Sequence, residues 1–532
     1  MSSSLAPVIS YSGAPASAPK IGMGLKIFIA TVVGAVGLLL FFVGDPRVAV
    51  APLVWVLVLY LLAAMPLRSH LALMVFATWL SDAISIELPE KGGVWLPPFY
   101  SLRFVLTENL NKVVPIPALR FSLLDLIYVL MLALVVVRTA MKIRVDTKGR
   151  QDTTAVLDRL VIVALATVIM LLVYGIGIRG GDFKQSLWQF RQILWLPVVI
   201  WLFGYALRGA QDFQRIVNWM LLAACVKILP GVIFFFKVAR PLGFEPATLY
   251  SHNDSILFVV CILALLIRFL HDVSWKNGLL FTVVGSWIML GNVLNNRRLS
   301  FVGFAVGLLL IVLTLRGPSK KAVRKALVVL APLIAVYLIV GQNRSGTFFK
   351  PARQIMSVTN QEDSSSGTRD IENFNLIVTL KPNKLLGNGW GHEYIELVRA
   401  DDISVFFAQY RFIAHNSVLW LWTIGGLIGF SIIWMQLVAG VFFARRAYLF
   451  ARNPLEQSTA MTALVIMSTY MMQAWGDMGV IAPTATLTVA LAIAAAAKLA
   501  VSTGAFPKRM RFMNFQQASD RVQYSVTWPV TT

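Results

Sequence analysis

The chain has 532 residues, of which 58% are hydrophobic and only 14% charged, with a mean hydropathy of +0.73. A soluble protein needs roughly a quarter of its residues charged to cover its surface, so soluble multidomain folds, disordered chains, coiled coils and disulfide scaffolds are excluded. The formal net charge of +22 is of the size seen in nucleic-acid binders and has to be tested against topology. Cys225 and Cys261 both lie inside apolar runs and carry no redox or metal argument.

Residues 1–24, rich in Ser, Ala and Pro, read as a disordered cytoplasmic tail without the layout of a cleavable signal. Apolar runs long enough to cross a bilayer then recur at 25–44, 48–65, 70–86, 122–140, 159–178, 192–207, 213–236, 254–270, 277–294, 299–315, 323–341, 413–443, 459–475 and 478–499, about fourteen spans. Lipid offers no partner for open backbone groups, so each is expected to be a helix. Run 70–86 is short, and 192–207 and 213–236 are open to being broken or re-entrant. The predicted fold class is all-α: a polytopic transmembrane helix bundle, N-in/C-in. Transmembrane helices 1–11 fall in 25–341, a large, partly helical outer loop in 342–412, helices 12–14 in 413–499, and a basic cytoplasmic tail in 500–532. With 342–412 outside, alternation puts basic clusters such as Arg138–Arg150 and Lys320–Lys325 inside. Almost the whole positive charge then obeys the positive-inside rule, nucleic acid loses its support as a partner, and the lipid bilayer remains.

The outer loop 342–412 balances acids against bases and contains aromatics, so it can fold. A loop of this length between membrane helices is usually functional or disordered. Its stretch Asn360–Gly367 is polar and open, Asp370–Leu380 has helical spacing, and Leu385-Leu386-Gly387-Asn388-Gly389-Trp390-Gly391 reads as a tight turn. Arg297 and Arg298 sit between two spans with almost no loop. They either snorkel to headgroups or clamp a phosphate, whose oxygens a guanidinium fork matches. Arg369 opens the helical stretch and, taken alone, reads as a surface ion-pair residue. Arg191 lies at an outer span edge beside Trp188 and is an interfacial anchor or a ligand. His415, followed by Asn416, opens the span after the loop and is structural or catalytic. His252 and Asn253 either line the same cavity or merely cap a helix. No Asp-x-Asp pair marks an outer metal site, and the Walker, HExxH and Gly-x-Ser-x-Gly motifs are missing; no cofactor is expected.

An arginine opening a span, a large loop with an Arg-led helix and a glycine turn, then His-Asn at the next span: this order resembles the bacterial O-antigen ligase and O-antigen polymerase superfamily, polytopic glycosyltransferases of the GT-C type. The pieces are Arg298, Arg369, Leu385–Gly391 and His415-Asn416 with Gly425-Gly426 behind, and the resemblance covers roughly residues 190–445. Lys384 stands where the turn usually has proline, Asn373 where an aromatic is common, and Arg297 beside Arg298 blurs the first assignment by one residue. The resemblance implies transfer of a glycan from an undecaprenyl-pyrophosphate carrier to an acceptor sugar hydroxyl on the periplasmic side of the bacterial inner membrane. Arg297, Arg298, Arg369 and Arg191 would bind the donor pyrophosphate, and His415 would serve the acceptor hydroxyl, without metal and with inversion. His252, Asn253 and Asn416 would line the cavity. The acceptor is a second lipid-linked glycan in a polymerase of O-antigen or exopolysaccharide units, or lipid A-core in a ligase; other polysaccharide-assembly proteins are further partners. The extra spans and amino-terminal tail favour the polymerase. A flippase of lipid-linked sugars would instead need ionisable groups deep in spans, for which Lys227 is the candidate. A scaffold would tolerate loss of His415.

Overall fold

The computed structural model describes residues 65–81, 86–88, 93–110, 121–143, 150–244, 246, 248–344, 349–356, 364–399, 402, 404, 409–479 and 481–508. The amino-terminal tail, the expected span 25–44, all but the last residue of the expected span 48–65, and the carboxy-terminal tail beyond residue 508 lie outside the described residues. The compact unit described below begins at Pro66.

That unit is helical apart from a two-residue antiparallel ladder, β1 (Ile86–Glu87) with β2 (Val94–Trp95). In chain order the helices are α1 (Leu67–Ser81), α2 (Tyr100–Thr107), α3 (Leu123–Ala140), α4 (Ala155–Val173), α5 (Phe183–Ala206), α6 (Ala210–Phe234), α7 (His252–His271), α8 (Trp275–Asn295), α9 (Arg298–Thr314), α10 (Gly317–Gly341), α11 (Lys350–Met356), α12 (Ser364–Leu380), α13 (Ser417–Phe450), α14 (Pro454–Gly476) and α15 (Pro483–Ser502). Each of the twelve expected runs from 70–86 onward falls on one of them. Nine helices are long and apolar enough to span a membrane among the described residues, which makes this a multi-pass membrane protein. The runs at 192–207 and 213–236 each lie on one continuous helix. α5 and α6 pass through Pro197 and Pro230, and α6 widens into a π turn at Phe235–Ala239.

The helices start where polar caps precede apolar runs. Ser122 with Asp125 and Ser251 with Asp254 form capping boxes at α3 and α7. The Ala-rich α15 is buried along nearly its whole length, because small side chains let α13 and α14 approach it closely. Lys227, deep in α6, is an internal tie: its ammonium meets Asp254 at 2.5 Å and the Trp79 carbonyl at 2.7 Å, joining α6 to α7 and α1.

The break in the bundle lies in α13. Gly426 adopts φ 57° and ψ −170°, which interrupts the helix. An unbroken helix would bond Leu427 N–H to the Thr423 carbonyl and Ile428 N–H to the Ile424 carbonyl. The outer loop takes all four groups instead. Asn388 and Gly389 N–H donate to the carbonyls of Thr423 and Ile424, both at 2.9 Å. Leu427 and Ile428 N–H donate to the carbonyls of Lys384 (2.8 Å) and Leu385 (3.1 Å). Open backbone inside a membrane protein survives only when protein satisfies it, and here the loop does so. Lys384 acts here through its backbone carbonyl, a group that any residue supplies.

The loop is clamped further along. Trp390 is fully buried, and its indole donates to the Val168 carbonyl at 2.9 Å. Gln189 accepts from Gly391 N–H (2.6 Å) and donates to the Phe412 carbonyl, holding both sides of the loop. On α12, Asn375 accepts from Leu397 and Val398 N–H, each at 3.0 Å, and fixes the stretch that leads back toward His415.

Candidate functional site

At the loop end of the bundle, α8 closes on Asn295, Asn296 turns the chain in the left-handed region (φ 53°), and Arg297 caps α9. The Asn295 amide is buried. It accepts from Tyr250 N–H (2.8 Å) and donates to the Ser251 carbonyl (3.1 Å) and Ser255 hydroxyl (2.7 Å). That lattice seats the start of α7 beside the arginine turn. His252, the first residue of α7, lies 2.8 Å through Nδ1 from Oδ2 of Asp477, the residue that closes α14. The Ser417 hydroxyl donates to the Asp477 carbonyl at 3.3 Å, which brings the start of α13 to the same place.

On the loop side, Arg369 and Glu372 are three residues apart on α12 and share a face. α12 begins at Ser364, so Arg369 stands inside the helix and does not open it; of the stretch expected to be an open linker, residues 360–363 lie outside the described residues and 364–367 are helical. Glu372 is buried and receives His415 twice: from its backbone N–H at 3.1 Å and from Nδ1 at 3.2 Å. The hydrogen bond to Glu372 raises the His415 pKa above the usual histidine value. Burial and the charge of Arg369 oppose the rise, while the charges of Glu372 and Asp477 add to it.

Arg369 links the two halves. Its charge acts on Arg297, on Arg298, on His415 and on Asp477, so these groups lie within electrostatic reach of it. Burial alone would raise the Asp477 carboxyl, but the hydrogen bond and charge of His252, with Arg369 behind, hold it down at about 2. Burial first, and then the charge of Arg369, push the Arg297 guanidinium down to about 10 against the pull of Asp477. The Nε of Arg297 is buried without a hydrogen-bond partner among the described residues. A buried donor of this kind in a cluster of three guanidinium groups suits a multivalent anion.

The remaining expected residues divide. Arg191 pairs with Asp125 at 3.1 Å and Asn109 at 3.0 Å and stacks 4.6 Å over Trp188. Asn416 serves as the cap of α13, accepting from Leu419 N–H at 3.1 Å, and its amide donates to Asn373 at 3.0 Å. This pairing occupies the position at which the family tends to have an aromatic. Asn253 accepts from Gln473 at 3.0 Å and lines a cavity beside the cleft. Sequence reasoning missed Glu372 and Asp477. Their signals were an acid three residues after Arg369 on one helix face, and an acid in the short turn between two spans.

The described residues define a multi-pass helical membrane protein with Arg297 and Arg298 within electrostatic reach of Arg369 at the loop end of the bundle. Residues 280–434 match the family model described as O-antigen ligase. The match supports the O-antigen ligase and polymerase superfamily that the sequence resembles, and it spans the arginine turn, α12, the loop turn, His415 and the break at Gly426. His252 and Asp477 lie outside it, and of the residues lining the adjoining cavity only Gln409 and Ile413 fall within it. No curated protein matches the chain.

Proposed function

We propose that the protein transfers a glycan from a polyprenyl pyrophosphate carrier, undecaprenyl in bacteria, to an acceptor sugar hydroxyl on the periplasmic side of the inner membrane. What supports this reading is the electrostatic proximity of Arg369 to Arg297, to Arg298 and to the His415–Glu372 pair, at the end of apolar helices. The carrier's tail remains in lipid while its diphosphate meets the guanidinium groups. With Nδ1–H donated to Glu372, His415 Nε2 is the acceptor that takes the hydroxyl proton. The acceptor oxygen bonds to the anomeric carbon as the carbon–oxygen bond to pyrophosphate breaks. The electron pair leaves on the lipid pyrophosphate, whose added negative charge the arginines stabilise in the transition state. In this reading they do the work of a divalent cation, and the single displacement inverts the anomeric centre.

The acceptor divides two readings. The donor site serves a repeat-unit polymerase and a ligase onto lipid A-core alike, and the description of the matching family favours the ligase. Transport is less well supported, because Lys227 is spent on Asp254 and Trp79. The test is to give purified protein in vesicles a polyprenyl-pyrophosphate oligosaccharide without nucleotide or metal. Longer lipid-linked glycan is expected. Transfer to added lipid A-core would identify the ligase, and unchanged donor moved across the vesicle wall would overturn the enzyme reading.

The pH dependence is set by the dyad. His415 must be neutral to accept a proton, so kcat/KM is expected to fall as pH drops through its raised pKa. Glu372→Gln removes the main cause of the rise. The acidic limb should then move to lower pH, and the plateau should fall by roughly tenfold or more. An unmoved limb in a pH–rate profile of this variant would show that His415 is not the titrating base.

A further inference from the structure

Beside the cleft lies a cavity of about 280 Å³ that none of the three arginines lines. Its lining adjoins the charged cluster along the chain: Asn253 follows His252, Met478 follows Asp477, and Ile413 precedes His415 by two residues. Its lining combines the indole of Trp188 with the amides of Gln192 and Asn253, the guanidinium of Arg103 and two threonines, Thr78 and Thr484. An apolar face with a few convergent polar groups is the usual make-up of a small-molecule site, and the volume lies just below the ~300–1,000 Å³ range of such sites.

Two observations point to a polar occupant. Thr78 and Thr484 are 1% and 3% exposed, and both hydroxyl oxygens are buried without a hydrogen-bond partner among the described residues. Other helix threonines, such as Thr167, Thr379 and Thr488, return their hydroxyl to the carbonyl four residues back; Thr78 does not. Buried hydroxyls left unpaired are costly and are met by water or ligand. The second observation is the fixing of Trp188. Arg191 stacks on its ring at 4.6 Å and is itself tied to Asp125 and Asn109, so the indole is held in place from behind the cavity wall. A pyranose ring, with a C–H face for the indole and a rim of hydroxyls for amides and threonines, matches this lining.

We propose that this cavity holds the terminal sugar ring of the acceptor glycan, with Trp188 as its platform and Arg191 as a positioning residue. The inference rests on the transferase reading above. The acceptor is favoured over the donor sugar because the lining residues Asn253, Met478 and Ile413 adjoin His252, Asp477 and His415, whereas none of the three arginines lines the cavity. The probes are oligosaccharides released by mild acid from the source cell's own surface polysaccharide, free of lipid and phosphate, and, separately, inorganic pyrophosphate. Binding is measured on the full chain in lipid nanodiscs. Trp188→Ala is expected to weaken oligosaccharide binding about tenfold, Trp188→Phe to restore most of it, and Thr484→Val, which keeps the shape, to weaken it about threefold. Arg369→Ala should leave oligosaccharide binding unchanged and abolish pyrophosphate binding. No oligosaccharide binding by the wild type, or binding lost with Arg369→Ala but kept in Trp188→Ala and Thr484→Val, would overturn the cavity assignment. Oligosaccharide binding that depends on Trp188, with no pyrophosphate binding at all, would leave the cavity standing and sink the donor reading instead.

Discussion

Replacing Arg369 by alanine is expected to lower kcat by about 10²–10³ while the protein stays folded. The side chain is half-buried at the rim of the cleft, and the anchoring of α12 is done by Asn375 and Thr379 further along. What Arg369 supplies is charge, felt by Arg297, Arg298, His415 and Asp477 together. Its loss removes a cation from the place where the leaving diphosphate gains charge. Arg369→Lys keeps the charge without the planar fork and should recover only part of the rate. Turnover of lipid-pyrophosphate donor in vesicles measures both. A wild-type rate in the alanine variant would remove Arg369 from the site.

Gly387→Ala is expected to undo the roof of the cleft, costing roughly 3–5 kcal/mol. Gly387 has φ 72°, a region that costs an L side chain about 1–2 kcal/mol. A Cβ there would stand 2.2 Å from the Ile424 carbonyl oxygen and 2.4 Å from the Gly426 nitrogen, both backbone atoms that no rotamer change can move. The loop would have to withdraw, and the open groups of Thr423, Ile424, Leu427 and Ile428 would lose their partners. Protease sensitivity of the loop and the thermal midpoint in detergent read the effect; a midpoint equal to the wild type's would show that the loop does not hold the break.

The spans were legible because lipid leaves an apolar run little choice but to be a helix. The position of the irregular backbone was not. Pro197 and Pro230 invite a break, yet α5 and α6 run on. The break falls at Gly426, where the deciding element is a loop turn about forty residues upstream that no local pattern ties to it. In the site, the cations were legible one by one, since arginine at a span edge has to be explained. Their company was not. Glu372 looks like any acid on a soluble-looking helix until His415 is seen to donate to it. Asp477 hides in a turn only a few residues long until His252 faces it. The pairing of Arg191 with Asp125 was likewise not legible from its position at a span edge.

The gap in α13 also bears on how the chain is made. The residues that close the gap lie at 384–389, and the residues that grip this turn from the far side, Val168 and Gln189, come earlier still. All of them leave the ribosome before Ser417 does. The interrupted helix therefore enters the bilayer with its partners already synthesised, and two unpaired rungs need never face acyl chains. A circular permutant that translated 417–450 first would have to store that helix, open rungs and all, until the rest of the chain arrived.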